Sequence, residues 1–163
     1  MFHPSTNQKG NEMKITTRTL ACFAALALGT ALVQAQDTST AAVKYRPDEI
    51  KYTKTPAGFE TAILFGNPTQ AGLFVTRVKF PAGFKVPPHW HPDISRTVVV
   101  LSGTLYFGLG ERWDETKMEA RPAGSFFTEA PKVPHFVWAK DGEVIIQVTG
   151  IGPSGTINIE QPK

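Results

Sequence analysis

From Phe59 onward the chain is cut into short runs rich in Val, Ile, Phe and Thr: FETAILFG, LFVTRVKF, RTVVVL, TLYFGLG, GSFFTE, HFVWA, EVIIQVTGI and TINIE. Each is long enough for a β-strand and too short for a typical helix, and Gly, Pro and Asn punctuate them. Outside RWDETKMEA no comparable stretch carries a helical period. Gly66-Asn67-Pro68, Pro81-Ala82-Gly83, Ser102-Gly103 and Asp141-Gly142 stand between apolar runs as turns, and Asp141-Gly142 is the strongest hairpin signal. At least eight short strands spaced in this way predict an all-β sandwich or barrel.

The first part of the chain has another texture. Lys14 and Arg18 precede an apolar run from Leu20 to Val33, and Val33-Gln34-Ala35 offers small residues for cleavage before Gln36. That is the pattern of a secretory signal over 1–35, too short in its apolar part to span a bilayer comfortably. The polar residues before it add nothing to targeting, so Met13 is an alternative start. Cys22, the sole cysteine, falls inside this leader, which leaves a mature chain without thiol chemistry.

Maturation also changes the charge. The whole chain carries a formal +3, but residues 36–163 hold 14 Lys and Arg against 13 Asp and Glu, about +1. No basic stripe remains to suggest nucleic acid, and none of the mature sequence suggests a membrane. The organisation expected is a signal over 1–35, a tether or arm over 36–55, one barrel over 56–153 and a C-terminal strand or tail over 154–163, in a periplasmic or secreted protein.

Besides His3, the histidines are His89, His91 and His135. Residues two apart on an extended strand face the same way, so His89 and His91 converge on one point while Trp90 faces the other. Imidazole suits Zn, Fe, Cu and Ni, and a third histidine from a neighbouring strand completes a set with positions open to water or substrate.

The setting of these histidines resembles the cupin family. Gly83, five residues, His89, one residue, His91 and then Gly103 follow its first motif, Gly-x5-His-x-His-x(3,4)-Glu-x6-Gly. GSFFTEAPKVPH, from Gly124 to His135, looks like its second, with Lys132 where a glycine usually stands. The likeness runs from about Phe59 to Pro153 and is greatest to small single-domain bacterial members of the cupin type-2 kind. It implies a small antiparallel barrel or jelly roll, with His89, His91 and His135 on three of four metal-ligand positions. It also implies a divalent metal (Fe, Mn, Zn, Ni or Cu), a small-molecule ligand or substrate, and a homodimer formed through sheet edges or an exchanged arm at residues 43–54.

The fourth ligand does not carry over. The glutamate slot holds Ser95 or Arg96, depending on the gap, and Asp93 is the only carboxylate between His89 and Gly103. A guanidinium about 5 Å from a divalent ion, at an effective dielectric near 20, costs roughly 6 to 7 kcal/mol. Arg96 is therefore expected to point outward beside a three-histidine site, with Val99 and Leu101 facing the barrel interior. If it points inward, the pocket is expected to bind an anion with little or no metal.

Other residues carry two readings each. Glu129, six residues before His135, is a replacement acid ligand or proton-transfer group, or a solvent-facing carboxylate at a strand end. Gln147 is an inward hydrogen-bonding group or a sheet-edge residue. Trp90, Phe136 and Trp138 are expected outside the barrel against another sheet, the arm or a partner subunit. Phe74, Phe80, Tyr106, Phe126 and Phe127 are expected in the core. The loop from Gly110 to Gly124 either covers the mouth through Trp113 or is solvated. Two functions follow: metal-dependent chemistry on a small organic molecule, of oxygenase or isomerase type, or a non-catalytic anion-binding module with a degenerate site.

Overall fold

The computed structural model describes residues 42–160. The signal expected over 1–35 lies outside them. Among the described residues no helix is long and apolar enough to cross a membrane.

Among the described residues eleven strands form two antiparallel sheets. In chain order they are β1 (Thr53–Lys54), β2 (Glu60–Phe65), β3 (Gly72–Phe80), β4 (Lys85–Trp90), β5 (Arg96–Ser102), β6 (Thr104–Leu109), β7 (Glu119–Pro122), β8 (Phe126–Thr128), β9 (His135–Trp138), β10 (Val144–Gly152) and β11 (Ile157–Asn158). The larger sheet has the order β1-β2-β3-β10-β5-β8 and the smaller β11-β4-β9-β6-β7. The result is an all-β jelly roll.

Alternation along the strands explains why the sheets stack. On β10, Val144, Ile146, Val148 and Gly150 are buried while Ile145, Gln147 and Thr149 are half-buried on the other face. On β5 the buried pair is Val98 and Val100. These residues meet Phe74, Phe80, Leu105, Phe107 and Val137 in one core between the sheets. Removing such side chains from water, at about 25 cal/mol per Å² of apolar surface, is the main force holding the layers together.

The turn signals mark reversals, but most of them join different sheets. Gly66-Asn67-Pro68 connects the paired strands β2 and β3. Asp141-Gly142, the expected hairpin, instead carries the chain from β9 in the smaller sheet to β10 in the larger, and Pro81-Gly83 and Ser102-Gly103 also cross between sheets. Turn residues bend a chain without specifying which neighbour the next strand finds. Gly103 shows what such a corner requires: its φ is +75°, and a Cβ there would lie 2.3 Å from the Glu143 carbonyl oxygen.

Two aromatic assignments also change. Phe126 is 62% exposed, and Tyr106 lies on the outer face of the smaller sheet, where its hydroxyl donates to Asp141 at 2.7 Å. Both occupy the strand face opposite the core. Phe74, Phe80 and Phe127 do pack in it or against it.

Candidate metal centre

His89 lies on β4 and His91 directly follows its last residue, and His135 opens β9, which pairs with β4 in the register His89↔His135. The three rings are buried, with centroids 4.3 to 5.2 Å apart. Each Nδ1 faces a backbone carbonyl: His89 that of Pro87 at 2.8 Å, His91 that of Gly155 at 2.6 Å, and His135 that of Val133 at 3.0 Å. A carbonyl can only accept, so each Nδ1 carries the proton and each Nε2 presents a lone pair.

That arrangement fits a metal ion. The ligand atoms of the three histidines all lie within 4.8 Å of one another, and the buried His135 Nε2 has no hydrogen-bond partner among the described residues. Carbonyls that hold the other ring nitrogen are the usual support of a metal-binding histidine. Burial, then the neighbouring His135, pushes the His89 pKa down to about 4. Burial, then the Arg96 charge, lowers that of His91. The two rings are thus neutral at physiological pH, the form in which imidazole binds metals.

Arg96 does not point outward. It shares its strand face with Val98 and Val100, which are the buried residues of β5, whereas Leu101 is exposed. Its side chain lines the cavity beside His89, His91 and Glu129 and is only 14% exposed. The cost of an inward charge is met by two buried acids. Arg96 Nε donates to Glu129 Oε2, and Nη1 donates to Asp93 Oδ2 and to Ser154 Oγ, both at 3.2 Å. The inward orientation is the second of the two expected for Arg96, and its pairing with two buried acids was part of neither.

The remaining candidates separate clearly. Glu129 lies inside, with Oε1 3.6 Å from His135 Nε2 and Oε2 3.7 Å from His91 Nε2. Asp93 is fully buried but is engaged with Arg96. Ser95 is exposed and serves through its carbonyl, which accepts from the Ile151 amide. Gln147 faces away from the core, where its side chain meets Arg77. Trp113 is no lid: it packs on Phe136 and Trp138 on the outer face of the smaller sheet, under Lys85.

A strand or tail was expected over 154–163, but nothing in the sequence tied this segment to the site. Ser154 meets Arg96, the Gly155 carbonyl orients His91, and β11 pairs with β4 at Trp90 and His89. A strand of two residues has too little pattern to be assigned a partner in advance; only the glycine and proline before it marked a turn.

These groups form one end of a cavity of about 700 Å³ between the sheets. Phe59, Phe80 and Phe84, whose ring centroids stand 5.6 to 5.7 Å apart, contribute to its wall. A cavity of this size suits a small organic molecule. At its polar end one guanidinium faces two carboxylates, a formal charge of −1 before any ion binds.

Residues 67–163 match the cupin family. The chain belongs to that family. Over 68 residues it is 34% identical to germin-like protein 5-1 of Oryza sativa subsp. japonica, a stretch covering 40% of this chain and 30% of the rice protein's length. Among solved structures it resembles the polyketide cyclase RemF from Streptomyces resistomycificus, with a TM-score of 0.62, 15% identity, and 76% and 89% of the two chains covered. It also resembles a cupin-like protein from Ralstonia eutropha, with a TM-score of 0.59, 20% identity, and 75% and 73% covered.

Proposed function

We propose that this cupin binds a divalent metal through the Nε2 atoms of His89, His91 and His135 and acts on a small organic molecule in the adjoining cavity. The observation that carries this reading is the shared ring orientation: three Nδ1 atoms are committed to carbonyls, which turns the three Nε2 atoms toward one point. A bound ion would supply Lewis-acid or redox chemistry at that point. The chain's own residues supply the rest. Phe59, Phe80 and Phe84 receive an apolar body and keep water from it, while Arg96, Glu129 and Ser154 bring polar groups to the end nearest the histidines.

The reading includes export through the leader at 1–35, supported by its charge and apolar pattern. It also includes a homodimer, for which the exposed Val43 and Tyr45 in the arm offer apolar contact. Elemental analysis of the purified protein tests the metal. Near-stoichiometric Fe, Mn, Zn, Ni or Cu, lost in His89→Ala and in His135→Ala, supports the assignment. A wild-type protein that holds none of these metals and takes up none when offered them overturns it.

A further inference from the structure

We infer that Glu129 is the acidic ligand of this site, displaced by one strand from the slot that Arg96 fills, and that Arg96 holds its carboxylate in place. The inference rests on the metal reading above and names a donor that the three histidines do not include.

The register supplies the reason. β5 and β8 run antiparallel with Thr97 opposite Thr128, so the next rung sets Arg96 opposite Glu129. The Glu129 amide donates to the Arg96 carbonyl at 3.1 Å, which fixes that rung. Residues directly opposite in an antiparallel pair project to the same face with Cβ atoms roughly 4.5–5.5 Å apart. Moving a carboxylate across one rung therefore keeps it on the same cavity wall. The basic residue that replaced it ends beside it, as a partner instead of an opponent.

The side chains agree with that exchange. The Glu129 side chain is 7% exposed, and its two oxygens stand 3.6 and 3.7 Å from the Nε2 atoms of His135 and His91. Donors about 2.1 Å from a shared ion, at angles between square and tetrahedral, stand roughly 3.0 to 3.4 Å apart, and the Glu129 oxygens lie only a few tenths of an ångström beyond that spacing from His135 and His91. Arg96 takes Oε2 and leaves Oε1 free to face the histidines.

Asp93 is the rival donor: the same guanidinium takes one of its oxygens, while its buried Oδ1 has no hydrogen-bond partner among the described residues. Its Oδ2 accepts from Arg96 Nη1, and no ion pair joins it to a histidine among the described residues. Arg96 thus uses its fork to separate the two acids, tying Asp93 to the β4–β5 connection while steadying Glu129 where β8 gives way to a turn. A planar guanidinium with donors in fixed directions suits that task better than an ammonium.

The test is Co²⁺ binding by the metal-free full-length chain, read by affinity and by the visible absorption of the ion, which reports its ligand set. Glu129→Gln should weaken binding at least about tenfold and alter the absorption bands. The exchange variant, Arg96→Glu with Glu129→Arg, should restore affinity to within about threefold, because the carboxylate returns to the same wall from the other strand. If Glu129→Gln is folded by circular dichroism and binds Co²⁺ with wild-type affinity and spectrum, the assignment is overturned while the histidine site stands. If Glu129→Gln does not fold, the exchange variant decides: wild-type-like binding supports the inference, and loss of binding overturns it. A wild-type chain that takes up no Co²⁺ overturns the metal reading itself and this assignment with it.

Discussion

The two faces of the smaller sheet use the same strands for opposite purposes. On β9, His135 and Val137 face the interior, and Phe136 and Trp138 face out. Inside, His135 stacks against Phe107 at 5.4 Å and meets two other imidazoles, with polar atoms left open toward one point. Outside, Trp113 covers Phe136 and Trp138, and Lys85 and Lys140 lie over the rings. Gly108 makes room for this outer layer, since a Cβ there would lie 2.4 Å from the Phe136 ring. The outer face is closed by its own loop, whereas the inner face is built around a cavity. Chemistry belongs to the side with lone pairs left over, and aromatic content alone does not locate it.

The largest effect that distinguishes the faces is on metal affinity. His135→Ala should lower it by at least about a hundredfold, or roughly 3 kcal/mol at 1.4 kcal/mol per factor of ten. Trp113→Ala, on the other side of the same strand, should leave it within about twofold. Titration of both variants with Co²⁺ checks the pair. Equal losses in the two would mean that the faces are not independent.

Metal removal should come next in size. A ligand that binds only the folded chain adds about 2.7 kcal/mol of stability at a hundredfold excess over its dissociation constant. For a domain of this size that is a melting temperature lower by roughly 10 °C after chelation. His135→Ala should show no such drop, because it has no ion to lose. Differential scanning calorimetry with and without chelator tests both statements.

How much of this was legible beforehand follows from the range of each interaction. The all-β class and the pairing of His89 with His91 rest on period-two alternation, and the jelly roll and the place of His135 on the resemblance to the cupin motifs, all of them local signals and therefore readable. Arg96 was misplaced because both faces of RTVVVL are apolar; the choice depends on β10 and β8, which pair with it from far along the chain. Glu129 needed the same β5–β8 register, and the Gly155 carbonyl needed a turn beyond β10. Asp141-Gly142 misled for a related reason: a tight turn encodes reversal, while sheet membership is decided by distant strands.

Trp113→Ala should still cost stability. The half-buried indole covers a fully buried Phe136 and carries Lys85 over its ring at 4.9 Å. Truncating a fully buried aromatic costs 3–5 kcal/mol, so about 2 kcal/mol is expected at this partly exposed position. Urea unfolding of the metal-free protein checks it. A loss of stability without a loss of metal affinity would separate the structural face from the chemical one, and a negligible loss would make the outer cluster ornamental.

The smallest expected effect concerns the turn that joins Glu129 to His135. Lys132 adopts a φ of +60°, a left-handed conformation, at the position where the family pattern has glycine. The turn is thus kept in shape despite the substitution, and its amide donates to the His91 carbonyl at 2.9 Å. A left-handed conformation costs an ordinary residue about 1–2 kcal/mol, but glycine also gives up 0.5–1 kcal/mol of extra chain entropy on folding. Lys132→Gly should therefore stabilise the protein by up to about 1 kcal/mol and leave metal affinity unchanged, since the backbone contact to His91 persists. Metal binding that changes with this substitution would show that the lysine side chain itself acts on the inner face.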